Sequence, residues 1–487
     1  MAAQVCLHWR DHGIDHPTFW KNIEATSPTA GALDMLAARL GQSCGRPFSL
    51  TIDIEAPLRP TAENRLMQLI TAIMPTVQKL DIRLNAFCMI SLWPVLNWDA
   101  PELTTFSLRL YNPDRIMARV PVNWCIFDSL PGKLREVTLE DVILPDPIDD
   151  FPAFSQLHKL TIIHPPATVT NFPARFLEIC RNLHTLVLRS GRLTFEEQWS
   201  TAALEGLSRL TWLVIDLDPL ARDEFVARMP LMKHIPSIVM LPPPDIDAAY
   251  NFLVGVGSPF NVGLIFKCPN EFCVIVEDDR SGYIRVFIEF IDLYERGPDA
   301  NDEVNILLEN DEFPKQVESL SVSLCLWDLL VPYMSYYAGL AKLVISLATP
   351  DPFSVHRLDG KPLAFVALEV LVIEALDAHY AVVRPGDVIH FVDQVLQASH
   401  CRKLELRRVL LHWQEDAAPL YKRFDHNYRI SQGSKTTNAG IYLYRLPQRK
   451  ARDPRRFAAL EGPCHSERLL LRIATRLAGK DDMRVCE

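Results

Sequence analysis

Glycine is scarce in this 487-residue chain, 19 in all, and the few present do not fall into a nucleotide-binding pattern. Gly255, Gly257 and Gly263 give G-x-G without the later glycine and without a strand-to-helix setting. Gly433-Ser-Lys-Thr-Thr lacks the upstream glycine and the residue order of a phosphate loop. No G-x-S-x-G occurs, and the acidic pairs Asp149-Asp150, Glu196-Glu197 and Asp278-Asp279 are sequence neighbours that need not face one pocket. No catalytic set can be assembled, so the expectation is a non-enzyme without a cofactor. Eleven cysteines are scattered with no C-x-x-C, and no asparagine opens an N-x-S/T sequon, which argues against a disulfide framework and a zinc ribbon. A reducing compartment, cytoplasm or nucleus, is expected. His8, His12 and His16 stand at i, i+4 and i+8, but Gly13 and Pro17 interrupt any helix carrying them, and no metal site is assigned. No run approaches the ~18 apolar residues of a membrane span. The nearest, residues 252–266, is broken by Ser258, Pro259 and Asn261. The first eleven residues have no apolar stretch of a secretory signal, so neither membrane nor export is expected.

What is present is the composition of a folded chain: 48% hydrophobic and 23% charged residues, with a net charge of −10. Residues 445–487 depart from that balance, with eleven Lys and Arg against six Asp and Glu, which leaves the preceding 444 residues at −15. This basic tail is expected to be a solvated end that caps the fold, and nucleic-acid binding would need more basic surface.

The informative feature is a repeat. The pattern apolar-x-x-apolar-x-apolar begins at Val77, Leu103, Leu134, Leu157, Leu183 and Leu210, at intervals of 26, 31, 23, 26 and 27 residues. It returns at Val317, Leu340, Leu368 and Cys401, and the 107-residue gap before Val317 holds four periods. Degenerate copies fit the gap at Ile235, Pro259 and Tyr283. A chain this apolar yields about twenty such triplets by chance. Spacing and composition therefore carry the argument: the middle position is Leu in eight of the ten firm copies. The alternation suits a short strand buried on one face, and residues 63–73, 195–207 and 387–399 read as helices between strands. One strand and one helix or turn per ~27 residues is a leucine-rich-repeat unit, which cannot bury its apolar face alone and must stack. The expected fold is α/β, an irregular leucine-rich-repeat solenoid with a curved parallel sheet and outer helices or loops.

Asn or Cys three residues after the triplet, the usual polar ladder of such repeats, occurs only at Asn85 and Cys325, so the buried loop backbone must find other partners. Residues 272–292 fit a hairpin around Asp279-Arg-Ser-Gly282 as well as a degenerate repeat. In each repeat, positions three, five and seven point away from the core onto the concave face. The candidate partner-binding residues there are Arg83, Arg109, Glu140, Arg189 and Asp216 at position seven and Trp212 at position three. Mixed charge with one Trp suits a protein partner better than a phosphate stripe.

The N-terminus adds a resemblance. Val5, Cys6, Trp9 and Arg10, followed by Pro17 and Trp20, resemble the second half of an F-box, and residues 33–54 look like the linker that follows it in large fungal F-box families. The resemblance implies a substrate receptor: those six residues dock a Skp-type adaptor of a cullin-RING ubiquitin ligase, and the repeats hold a protein substrate. The family's opening Leu-Pro helix has no counterpart in this sequence, so the chain as given is expected to bind adaptor weakly or not at all, and an added upstream helix to restore binding. The expected organisation is a partial F-box and linker over 1–60, repeats over 61–415 with degenerate repeats or a hairpin insertion at 235–316, and a basic cap or tail over 416–487. A stand-alone repeat scaffold is the alternative, and an enzyme with a pocket at 240–300 the less favoured one.

Overall fold

The computed structural model describes residues 20–43, 45–111, 122, 126–129, 132–144, 152–164, 169–195, 198–228, 234–241, 253, 259–268, 271–278, 282–290, 313–337, 339–347, 363–375, 381–412, 416–424 and 428–431. All of them fall in the unit Met1–Lys435. The strands are β1 (Asn22–Ala25), β2 (Phe48–Ile54), β3 (Val77–Asn85), β4 (Thr105–Tyr111), β5 (Glu136–Glu140), β6 (Lys159–Ile163) and β7 (Val169–Phe172). They continue with β8 (Thr185–Ser190), β9 (Arg192–Phe195), β10 (Trp212–Leu217), β11 (Ser237–Leu241), β12 (Phe260–Cys268), β13 (Glu271–Glu277) and β14 (Ile284–Phe290). The last are β15 (Val317–Ser323), β16 (Lys342–Leu347), β17 (Val370–Ala375), β18 (Ala381–Val383), β19 (Lys403–Arg407), β20 (Val409–Leu411) and β21 (Tyr428–Ser431).

Seventeen of these strands make one sheet, in the spatial order β1-β2-β3-β4-β5-β6-β8-β10-β11-β14-β13-β12-β15-β16-β17-β19-β21. All neighbours are parallel except that β13 is antiparallel to both β12 and β14. Among the described residues no pairing joins β1 to β21, so the sheet is not a closed barrel. The repeat triplets stand in register. Leu80 lies beside Phe106, Val137, Leu160, Leu186, Leu213 and Ile238 in turn, and Ile82 beside Leu108, Leu139, Ile162, Leu188, Ile215 and Met240. Both rows are buried and belong to one apolar core with residues of the helices.

The helices are α1 (Ala30–Gln42), α2 (Pro60–Ile73), α3 (Met89–Leu96), α4 (Phe176–Ile179), α5 (Thr201–Ser208), α6 (Pro219–Arg228), α7 (Trp327–Leu330), α8 (Pro385–His390) and α9 (Ala418–Arg423). Their starts follow local rules: Thr29 Oγ1 accepts from Ala32 N at α1, Ser200 Oγ accepts from Ala203 N at α5, and Pro60 occupies the first turn of α2. Leu33 and Leu36 of α1 and Leu66, Met67, Ile70 and Ile73 of α2 face the core, at the helical spacing that makes one apolar stripe.

Four expectations change. The sheet starts before residue 61, because β1 and β2 lie inside the span given to the linker. Residues 195–207 are not one helix: Phe195 ends β9, which pairs with β7 in a separate two-stranded sheet, and α5 begins at Thr201. The 387–399 helix is α8 followed by a π-turn over Phe391–Val395. Between residues 259 and 290 the hairpin and repeat readings merge. β13 and β14 form the hairpin, with Gly282 at φ 72° in its turn, yet β14 lies parallel to β11 and β12 parallel to β15. The degenerate triplet at Tyr283 is displaced by one residue: Ile238 and Met240 stand beside Arg285 and Phe287, not beside Val286 and Ile288. A one-residue slip turns every side chain to the opposite face, which places Arg285 on the core side.

Main-chain bonds tie successive strands together at their starts. At the strand starts, Arg135 N and Glu136 N both donate to Thr104 O, His158 N and Lys159 N to Arg135 O, His184 N and Thr185 N to His158 O, and Thr211 N and Trp212 N to His184 O. In the later repeats Glu369 N and Val370 N share Ala341 O, and Arg402 N and Lys403 N share Glu369 O. Asn85 does play the expected part: its buried Nδ2 donates to Glu55 O at 3.1 Å and its Oδ1 accepts from Phe87 N at 3.2 Å. The side chain of Cys325 lies outside the described residues.

Candidate protein-binding face

Positions three, five and seven of the repeats occupy the sheet face opposite the helix-side core, and this face is not uniform. Over β2 to β5 the fifth position is Thr51, Asp81, Ser107 and Thr138, each half-buried. Farther along it is Val187, Val214, Val239, Val286, Val344 and Val372, between 0% and 9% exposed. These valines are buried outside the apolar core that the sheet shares with the helices. A strand covered on both faces loses its polar alternation, as the runs LVI in β10, IVML in β11 and LVISL in β16 show. The fifth position is therefore polar over β2 to β5 and again at β19, where Glu405 occupies it, and is covered at the valines between.

The candidate residues are brought together on this face, largely as partners of one another. Arg83 Nη1 is 3.6 Å from Asp53 Oδ2 and its Nη2 is 3.4 Å from Asp81 Oδ2. Arg109 Nε lies 3.1 Å from Glu140 Oε1, and Arg189 Nε 3.9 Å from Asp216 Oδ2. Burial raises the proton affinity of the Asp216 carboxyl and Arg189 opposes that shift. The Arg189 side chain keeps only 15% of its exposure. Trp212 is half-buried, with Thr185 and Ser237 beside it on the neighbouring strands. Of the F-box residues, Trp20 is half-buried just before β1, while Val5, Cys6, Trp9, Arg10 and Pro17 lie outside the described residues. The same is true of His8, His12 and His16, of Gly255 and Gly257, and of the basic tail. Among the described residues no group of three His, Cys, Asp or Glu side chains is arranged to hold a metal, and no helix is long and apolar enough to cross a membrane.

Two features escaped the repeat reading. At position eight, where Leu84, Leu110 and Leu217 face the core, three successive strands carry Asp141, His164 and Ser190 instead. Ser190 is buried and its Oγ makes no hydrogen bond, so the row is not a nucleophile relayed through His164. The second feature is a charge ladder at the far end of the same face, where Ser346, Glu374 and Arg407 continue the position-seven row and Lys403 and Glu405 hold positions three and five. Lys403 and Arg407 both grip Glu405, at 2.8 and 2.6 Å, Arg407 reaches Glu374 at 3.6 Å, and Ser346 Oγ donates to Glu374 at 3.1 Å. Hydrogen bonds from Lys403 and then Arg407 outweigh the effect of burial and hold the Glu405 carboxyl down at about 2, against an ordinary 4.5.

A carboxylate depressed in the folded state stabilises the fold at pH above its unfolded value and loses that contribution as pH falls toward the folded one. The Glu405 contribution is therefore complete above pH ~4.5 and gone near pH ~2. Thermal unfolding of Glu405→Gln against the unmodified chain should show a difference at pH 7 that shrinks between pH 4.5 and 2; a pH-independent difference excludes this assignment.

The fold and face together define a mixed α/β protein built on a large, mostly parallel sheet with helices packed on one side. No protein-family model matches this chain, and no curated protein matches it.

Proposed function

We propose that the chain is a protein-binding receptor of the leucine-rich-repeat type, resembling the F-box subunit of a cullin-RING ubiquitin ligase, with the polar face of β2 to β10 holding the substrate. The observation that carries this reading is the in-register position-seven row, whose charges form the cross-strand ion pairs Arg83–Asp53, Arg109–Glu140 and Arg189–Asp216, with Trp212 four residues before Asp216 on β10. Pre-positioned charges with an aromatic anchor favour a protein partner, because little side-chain entropy remains to be lost on binding. A second reading, an interaction scaffold without ligase docking, is favoured by the position of Trp20: the sheet begins at Asn22, two residues beyond the last residue of the F-box motif.

Pull-down of a purified Skp-type adaptor by the full chain, with and without an F-box opening helix fused upstream, separates the two. Retention only with the added helix supports the ligase reading; retention in neither leaves the scaffold. For the face itself, Trp212→Ala with Arg109→Ala and Arg189→Ala should weaken binding of an identified substrate at least tenfold. Loss of the partly exposed Arg109–Glu140 pair should cost only about 0–1 kcal/mol, and because Arg189 is mostly buried beside Asp216, circular dichroism checks that the triple variant is folded. Undiminished substrate binding by a folded triple variant overturns the assignment.

A further inference from the structure

A second surface lies on the rim where the strands start, adjoining the position-three edge of the open face. The carbonyls of Thr104, Arg135, His158 and His184 are each held by two N–H groups of the next strand, which fixes these peptide planes and leaves the position-two side chains at the edge of the sheet. Arg135, His158 and His184 therefore follow one another at the strand pitch of about 4.8 Å. The imidazole centroids of His158 and His184 are 5.5 Å apart. Lys159 opens β6, Arg181 and Arg209 stand in the turns leading into β8 and β10, and all three are exposed.

The charge balance of this rim is the reverse of that of the chain. In the turns before β5, β6, β8 and β10, Glu136 is the one carboxylate among the described residues, and Glu102, one repeat earlier, is taken up by Lys133 Nζ at 2.7 and 2.8 Å. The chain as a whole carries −10. Burial is the main cause that lowers the proton affinity of His158, and Arg135 and His184 add to it while Glu136 opposes them.

We propose that this rim is a docking site for an acidic, extended polypeptide segment whose carboxylates are taken by Arg135, Lys159, Arg181 and Arg209 and by the two imidazoles. The span from β5 to β10 is three strand pitches, about 14 Å, which four or five extended residues cover at about 3.4 Å each. Among the described residues Trp212, which opens β10, is the single indole or phenyl ring at the starts of these four strands, where successive bases of a single-stranded nucleic acid would need aromatic platforms to stack on. The site does not depend on adaptor docking, and of its residues Lys159, at position three of β6, also borders the open face.

The test is fluorescence anisotropy of a fluorescein-labelled octaglutamate peptide with the full chain at low salt, beside an eight-nucleotide single-stranded DNA. Lys159→Glu with Arg181→Glu should weaken peptide binding about tenfold or more, because reversing rim charges at low salt removes attraction and adds repulsion. Arg402→Glu, a reversal at the same rim position before the distant β19, should change it less than twofold. Circular dichroism checks that each variant is folded. Failure of the unmodified chain to bind the peptide, an equal loss in Arg402→Glu, or tighter binding of the oligonucleotide overturns the proposal. So does undiminished binding in the double variant, which places the peptide elsewhere, the basic residues 445–487 included.

Discussion

Arg285→Ala is expected to destabilise the chain by about 3–5 kcal/mol, at the upper end of what a single substitution does. The side chain is 0% exposed, on the core side of β14. Its Nη1 alone donates to the carbonyls of Ile235, Pro236 and Ile284 at 2.9 to 3.0 Å, and its guanidinium carbon lies 5.5 Å from the Tyr283 ring centroid. Burial lowers its proton affinity to about 10, so it remains charged at neutral pH. Truncation removes a charged donor from buried acceptors and leaves a cavity, and each effect costs stability separately. Arg285→Met restores volume without the donors and should recover part of the loss. Urea unfolding followed by tryptophan fluorescence measures both. An alanine variant within about 1 kcal/mol of the unmodified chain would show that β14 is held to β11 by the ladder hydrogen bonds alone.

Gly206→Ala should also destabilise, against the usual preference of helices for alanine. A Cβ at Gly206 in α5 would collide with Leu177 O and lie 2.9 Å from the Leu177 carbonyl carbon and Cβ. That carbonyl is main chain and cannot swing away, and it already accepts from Arg209 Nη2 at 3.2 Å. The added methyl must push α5 away from α4, an overpacking cost of about 1–3 kcal/mol that exceeds the ~1 kcal/mol gained in helix propensity. Gly41 in α1 is the control: a Cβ there would have nothing within 4 Å, and Gly41→Ala should be neutral or stabilising. If both substitutions raise the urea midpoint equally, α4 and α5 are free to move apart and the close approach at Gly206 is not a constraint.

The open face shows why some of the candidate site was legible and some was not. Position seven could be read residue by residue, because alternation along a strand decides which face each side chain takes. That Arg109 would meet Glu140, and Arg189 would meet Asp216, follows only from the register of strands that are 31 and 27 residues apart in sequence. The burial of the valine row was visible in composition: LVI and IVML lack the polar alternation of SLTIDI and KLDIRL. Reading apolar triplets alone passes over this signal, since the fifth position is free in that template.

By itself the sequence determined the triplet spacing, the positions of β3, β4, β5, β6, β8 and β10 and which of their triplet side chains enter the core, because these follow from apolar spacing and a two-residue strand period. It also determined the turn at Gly282, where positive φ favours glycine. Only the tertiary structure decided that β12, β13 and β14 enter the sheet in reverse order between β11 and β15. A short apolar strand has the same local pattern whichever neighbour it pairs with and in whichever direction. The choice is made by long-range main-chain bonding and by burial of the whole face, and here it set the register one residue away from the repeat and turned Arg285 into the core.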